Sequence, residues 1–265
     1  MKPLAYALAA AALALVAPAA ADEYASDWAR TSKAEARLVA GAPGQAAVEV
    51  RLAPGAITYW RNPGDSGAPP NFDFAGSRNL KRAEPLFPAP KRIVEPDGSD
   101  AFGYDDAVVF PIAVAALDAS QPVALKLKFD YAVCEKLCLP AKAELALTLP
   151  QGGASPFAAA IAAAAASVPR ATDLATIGGA LEATGADSWR LCAKPEPGPP
   201  RDLFVEAPEG WWFATKPAAD GAGRACFALE LQQKPDGAAL PVAVRATLTG
   251  GAASREFPLA LAAKP

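Results

Sequence analysis

The chain is 265 residues long, 52% hydrophobic and 20% charged, which excludes a disordered polyelectrolyte. Its 25 Lys and Arg against 28 Asp and Glu leave a net charge of −3, no footprint for nucleic acid or an anionic lipid surface. Histidine is absent, which excludes a Ser-His-Asp triad, a Cys-His dyad and the usual zinc sites, so any chemistry falls to the four cysteines.

The chain opens with Lys2, an apolar run from Leu4 to Val16, Pro18 and the small residues Ala19-Ala20-Ala21. This pattern predicts a secretory signal peptide over residues 1–21, cleaved between Ala21 and Asp22. The apolar run is 13 residues, short of the roughly 20 that span a bilayer, so a membrane anchor is the weaker reading. No later segment reads as a membrane span. Export implies a compartment where disulfides persist, and the even cysteine count agrees.

Residues 22–150 read as a first strand-rich domain. Val48, Val50 and Leu52 share one face of a strand. Over 123–133, Val123, Leu125, Leu127, Phe129, Tyr131 and Val133 point one way while Lys126, Lys128 and Asp130 point the other. Leu145, Leu147 and Leu149 repeat the pattern. Period-two alternation predicts antiparallel strands with one packed face. Residues 151–170 read as a connector. Ser155-Pro156 resembles an N-cap followed by proline at the first helical position, the alanines after it favour helix, and Pro169 ends it, so 155–168 is expected to be helical, with a flexible linker as the competing reading. Residues 171–265 read as a second domain, with strands at Trp189 to Cys192, Leu203 to Glu206, Cys226 to Gln232, Leu240 to Leu248 and Phe257 to Leu261. Trp211-Trp212-Phe213 reads as core and turn packing. The expected fold class is all-β: an immunoglobulin-like β-sandwich, in two lobes joined by a short helix.

The cysteines form two kinds of pair. Cys134 and Cys138 make a CxxxC between the two best strands of the first half; Cys192 and Cys226 lie 34 positions apart on separate strands. In the chain-entropy model a ~35-residue loop is worth about 3.8 kcal/mol and a ~5-residue loop about 2 kcal/mol. Cys134–Cys138 is therefore the poorer staple and the better candidate for reversible exchange, with a structural bridge or a two-thiolate metal site as alternatives. Cys192–Cys226 is expected to be a structural disulfide. By alternation, however, Cys192 shares a face with Arg190 and Cys226 with Glu230, which keeps a second exposed redox pair open. Lys136 and Lys142 near the CxxxC are offset by Asp130 and Glu135, so no strong thiolate activation is expected.

Tyr59-Trp60-Arg61-Asn62-Pro63-Gly64-Asp65-Ser66-Gly67, then Phe102-Gly103-Tyr104 with Val108-Val109-Phe110-Pro111, then Cys134 to Pro140, resemble in order the N-terminal immunoglobulin-like domain of the DsbD/ScsB-type periplasmic thiol:disulfide interchange proteins. The variant associated with suppressor-of-copper-sensitivity systems, whose soluble region is longer, is the nearest in pattern. The resemblance covers about residues 30–150. It implies that Cys134 and Cys138 relay electrons between a thioredoxin-like domain of a membrane or periplasmic reductase and exported disulfide oxidoreductases. It also implies an aromatic cap over the pair, for which Phe102 is the first choice, with Tyr104, Tyr59 and Trp60 beside it; core and turn packing is the competing reading of each. Two departures stand out. The CxxxC is shorter than the family's usual CxxxxxC, and the sequence holds neither a membrane conduit nor a thioredoxin-like domain.

The expected function is a periplasmic thiol–disulfide exchange module, with protein-disulfide reductase-type activity if the redox reading holds. No cofactor is expected. The competing readings are a non-catalytic immunoglobulin-like binding module with structural disulfides and a copper-stress protein binding Cu(I) through the CxxxC.

Overall fold

The structure is a computed structural model that describes residues 23–264 except 96, 154, 221 and 222. The expected signal peptide lies outside the described residues. Eleven strands form the first lobe: β1 (Ala29–Arg30), β2 (Ala34–Ala40), β3 (Gln45–Leu52), β4 (Ile57–Gly64), β5 (Asn71–Asp73), β6 (Leu80–Pro85), β7 (Lys91–Val94), β8 (Asp100–Asp105), β9 (Ala107–Ala116), β10 (Ala124–Cys134) and β11 (Cys138–Thr148). Helix α1 (Ala158–Ala166) follows. The second lobe holds β12 (Arg170–Ala171), β13 (Ala180–Ala183), β14 (Ser188–Ala193), β15 (Asp202–Glu206), β16 (Trp212–Ala218), β17 (Ala225–Gln233), β18 (Val242–Thr249) and β19 (Arg255–Leu261).

Each lobe is a pair of facing sheets, the immunoglobulin-like all-β architecture. In the first lobe, the order β1-β2-β3-β9-β6 faces β11-β10-β4-β8-β7, with β5 added to β10. The period-two pattern explains why. Along β10, Leu125, Leu127, Phe129, Tyr131 and Val133 are buried while Lys126 and Lys128 are exposed. Along β11, Ala141, Ala143, Leu145 and Leu147 are buried with every intervening residue exposed. Phe129 stacks on Tyr131 with centroids 4.5 Å apart and lies 4.8 Å from Phe72, so the core is aromatic at its centre.

The second lobe faces β12-β19-β18-β15 against β13-β14-β17-β16 around Trp189, Leu191, Phe213, Phe227 and Phe257. Of the aromatic cluster at 211–213, Trp211 and Phe213 are part of this packing, while Trp212, which opens strand β16, turns to the first lobe and stacks on Phe102. Helix α1 is shorter than the expected 155–168. The Ser155 hydroxyl accepts the Phe157 N–H at 3.0 Å and donates to the Ala40 carbonyl at 2.5 Å. That tether to the first lobe occupies the residues ahead of the helix, and the position before its first turn, Phe157, has no side-chain cap. The helix buries Ile161, which packs with Val39 and Ala47 on the outer face of the first lobe.

The two lobes share a seam. Along β15, Leu203 and Val205 enter the core of the second lobe, while Phe204 between them enters that of the first. Its ring lies 4.8 Å from Phe102 and 6.0 Å from Trp60. Arg61 of β4 forks onto Glu206, with Nη2 2.8 Å from Oε1, and also reaches Glu256. Burial lowers the Arg61 pKa, but the two carboxylates outweigh it and hold the guanidinium above its usual range.

Candidate functional site

Cys134 ends β10, Cys138 begins β11, and the two face each other in register across the hairpin formed by Glu135-Lys136-Leu137. Their sulfurs are bonded at 2.04 Å. The two ends of the bridge differ. Cys134 is 3% exposed, whereas Cys138 is open to solvent. Leu137 beside it is 72% exposed and Leu139 is 38% exposed, so the accessible sulfur has an apolar rim.

Strand β4 supplies the cover over the buried sulfur. Val133 and Cys134 pair with Thr58 and Ile57, and the Thr58 hydroxyl donates to the Ala132 carbonyl at 2.8 Å, which pins β4 beside the cysteine. Ile57 and Tyr59 then fall on the face that carries Cys134, where they cluster with Ala101. The Tyr59 hydroxyl donates to Cys134 Sγ at 2.8 Å and lies 3.6 Å from Cys138 Sγ. Glu95 Oε1 is 3.5 Å from the same hydroxyl. A phenol has one proton to give, and the shorter contact takes it. Burial first, and the Glu95 charge second, raise the Tyr59 pKa, so the hydroxyl stays protonated.

Gly67 closes the cover. Its φ is +91°, and a Cβ there would stand 2.2 Å from Tyr59 Cζ, so only glycine lets this turn lie on the ring. On the solvent side, Lys33 Nζ sits 2.6 Å from Glu135 Oε2. The hydrogen bond and charge of Lys33 hold the Glu135 carboxyl below its usual range.

Of the four aromatic residues singled out in the sequence, Tyr59 alone reaches the sulfurs. Trp60, Phe102 and Tyr104 lie on the opposite face of the same sheet, in the core of the first lobe. Phe102 packs against Phe204 in the seam, and the Tyr104 hydroxyl donates to the Pro88 carbonyl at 2.8 Å. Adjacent residues of a strand point to opposite faces, so Tyr59 and Trp60 necessarily separate. Glu95 is not singled out in the sequence, and Gly67 enters only as the last residue of the Tyr59-to-Gly67 motif, with no contact assigned to it. They reach Tyr59 only through the turn joining β7 to β8 and the segment after β4, and no local pattern signals such a contact. Leu137 and Leu139, by contrast, stood in plain view on either side of Cys138.

Cys192 and Cys226 are bonded directly across β14 and β17. Their neighbours Leu191, Ala193 and Phe227 are in the core of the second lobe, so the bridge lies on the outer face with Arg190. It is nonetheless covered, at 5% and 4% exposure. Arg190 reaches the Ala219 carbonyl, and Arg224 pairs with Asp220, near this bridge. Among the described residues, no three Cys, Asp or Glu side chains converge as a metal site, and no helix is long and apolar enough to cross a membrane.

The fold and this hairpin disulfide define a tandem β-sandwich with a cysteine pair at one end of a sheet. Residues 27–150, which span the first lobe, match the family described as thiol:disulfide interchange protein DsbD, N-terminal. Among solved structures, the N-terminal periplasmic domain of ScsB from Proteus mirabilis is similar over 92% of this chain and 100% of its own length, at 21% identity and a TM-score of 0.73. That likeness extends the shared fold across both lobes. The C-terminal domain of the Streptococcus agalactiae AgI/II polypeptide BspA aligns over 84% of this chain and 95% of its own, at 9% identity and a TM-score of 0.17, too low to carry an argument. No curated protein matches the chain.

Proposed function

We propose that this chain is a periplasmic thiol–disulfide exchange module in which Cys134 and Cys138 pass a pair of electrons between a thioredoxin-like domain and exported oxidoreductases. The observation that carries the reading is the asymmetry of the bridge: one sulfur lies open between two exposed leucines, and the other is buried under a tyrosine hydroxyl. A partner thiolate attacks Cys138 Sγ along the open side. The Cys134–Cys138 bond breaks, and Cys134 leaves as a thiolate that accepts the Tyr59 hydrogen bond. The partner's second thiolate then attacks the sulfur bonded to Cys138. The partner departs as a disulfide, and two electrons remain on the reduced pair, which takes up two protons. Run backwards with an oxidised client, the same steps deliver those electrons.

Tyr59 takes the shielding role in this reading, while Phe102, Tyr104 and Trp60 support the sheet from behind. The rim of Leu137 and Leu139 suits the apolar surface around a thioredoxin-like active site. Cys192–Cys226 serves as the staple of the second lobe. Export through the segment 1–21 puts the pair in the compartment where such exchange is needed.

The test uses a Cys134→Ser variant and a thioredoxin-like domain reduced to one active-site cysteine, activated as an aryl mixed disulfide. A stable adduct through Cys138 is expected, and none with Cys138→Ser. Failure to form it, or a Cys134/Cys138 couple more reducing than about −300 mV, in the range of structural bridges, overturns the reading.

A further inference from the structure

The strands that frame the disulfide turn their other face to the second lobe. On β4, Tyr59 meets the sulfur while its neighbour Trp60 meets Phe204 and Asn62 Nδ2 donates to the Val205 carbonyl at 2.9 Å. On β8, Ala101 packs in the cysteine cluster while Phe102 meets Phe204. On β7, Ile93 packs against the cysteine cluster, and its neighbour Arg92 reaches across the seam.

Arg92 is the most heavily engaged of these. Its Nε and Nη2 fork onto Asp202 at 2.9 and 3.0 Å, and Nη2 also meets the Leu203 carbonyl and Thr215 Oγ1. On the first-lobe side, Nη1 donates to Asp100 Oδ2 at 2.5 Å. Asp100 in turn makes two hydrogen bonds with Asp65: its N–H donates to the Asp65 side-chain Oδ2 at 2.8 Å, and its carbonyl accepts the Asp65 N–H at 2.8 Å. Two residues after Asp65, Gly67 lies on the Tyr59 ring. The turn between β7 and β8, closed by the Asp100 end, also places Glu95 at the Tyr59 hydroxyl. A continuous chain of polar contacts and packed groups therefore runs from a carboxylate of the second lobe to the buried sulfur.

We propose that Asp202 is a positioning residue for exchange at Cys134–Cys138, acting through Arg92 and the two segments that hold Tyr59 against Cys134. The second lobe is then part of the redox device. The proposal rests on the exchange function above. With Asp202 removed, Arg92 loses its fork, the turn of β7 and β8 loosens, and the Tyr59 hydroxyl is no longer held at the leaving sulfur. The test measures the coupling directly.

In the full chain, the rate of reduction by dithiothreitol is measured for wild type, Asp202→Ala, Tyr59→Phe and the double variant, with the titration of the Cys134 thiol in each reduced protein. Dithiothreitol donates two electrons and becomes its own cyclic disulfide, so no partner protein is needed. Asp202→Ala is expected to slow reduction by roughly 3- to 10-fold, to raise the Cys134 thiol pKa, and to add almost nothing in the Tyr59→Phe background. A purely structural role moves neither the thiol titration nor the dependence on Tyr59. Should Asp202→Ala unfold the second lobe, Asp202→Asn, which keeps the size and one acceptor, reads the same quantities. Unchanged rate and titration, or effects of the two substitutions that multiply independently, overturn the proposal. A wild-type bridge inert to dithiothreitol overturns the exchange function itself and this inference with it.

Discussion

A single hydroxyl divides the labour within the disulfide. Because Tyr59 donates at 2.8 Å to Cys134 and stands 3.6 Å from Cys138, charge appearing on Cys134 meets a preformed donor. A hydrogen bond to a charged acceptor is worth about 1.5–3 kcal/mol, and one pKa unit corresponds to about 1.4 kcal/mol. Tyr59→Phe keeps the ring and removes the donor, so the reduced Cys134 thiol should titrate about one unit higher, read from thiolate ultraviolet absorbance against pH. Glu95→Gln should act in the opposite sense. Its carboxylate sits 3.5 Å from the hydroxyl and opposes negative charge nearby, so neutralising it stabilises the thiolate and lowers the Cys134 pKa. Two shifts of the same sign would mean that the substitutions act by loosening the packing rather than through the sulfur.

At the scale of elements, α1 has one anchor. Ile161 is 2% exposed against Val39 and Ala47, and the alanines around it contribute little side chain to bury. Ile161→Ala should cost about 2–3 kcal/mol in denaturant unfolding and release α1 to rapid amide exchange, while the dithiothreitol rate of the distant disulfide stays put. An unaltered midpoint would mean that the tether from Ser155 to Ala40 holds the helix unaided. The elements legible in the sequence are those in which side-chain period and burial coincide. Along β10, each of Leu125, Leu127, Phe129 and Tyr131 is both apolar and inward, so the residues announce the strand. In β7, Lys91-Arg92-Ile93-Val94, nothing alternates: Arg92 is charged yet turned into the seam, and Val94 is apolar yet 68% exposed. The same limit governs the site. Cysteine spacing is a local signal and marked Cys134 and Cys138. Which of Tyr59, Trp60 and Phe102 would face the sulfurs depends on the pairing of β4 with β10, and a shift of one residue exchanges the faces.

Across the whole molecule, the seam decides whether two sandwiches behave as one body. Phe204 contributes about 1.5–3 kcal/mol of burial to a core that is not its own lobe's. The Arg61 guanidinium lies between Glu206 and Glu256, whose side chains are 14% and 21% exposed, with Arg245 as their other cation. Carboxylates this far from water do not tolerate the loss of a partner. Removing one member of a buried pair costs about 3–5 kcal/mol, and the residual exposure and Arg245 reduce that here to about 2–3 kcal/mol. Because this cost falls on the interface and not within either core, Arg61→Ala should uncouple the lobes before it unfolds them. Calorimetry should then give one transition for the wild type and two for the variant, the upper one belonging to whichever sandwich is intrinsically more stable. Two transitions already present in the wild type would mean that the lobes melt independently. In that case the contacts of Arg61, Arg92 and Phe204 would be too weak to carry a signal from the second lobe to the sulfurs.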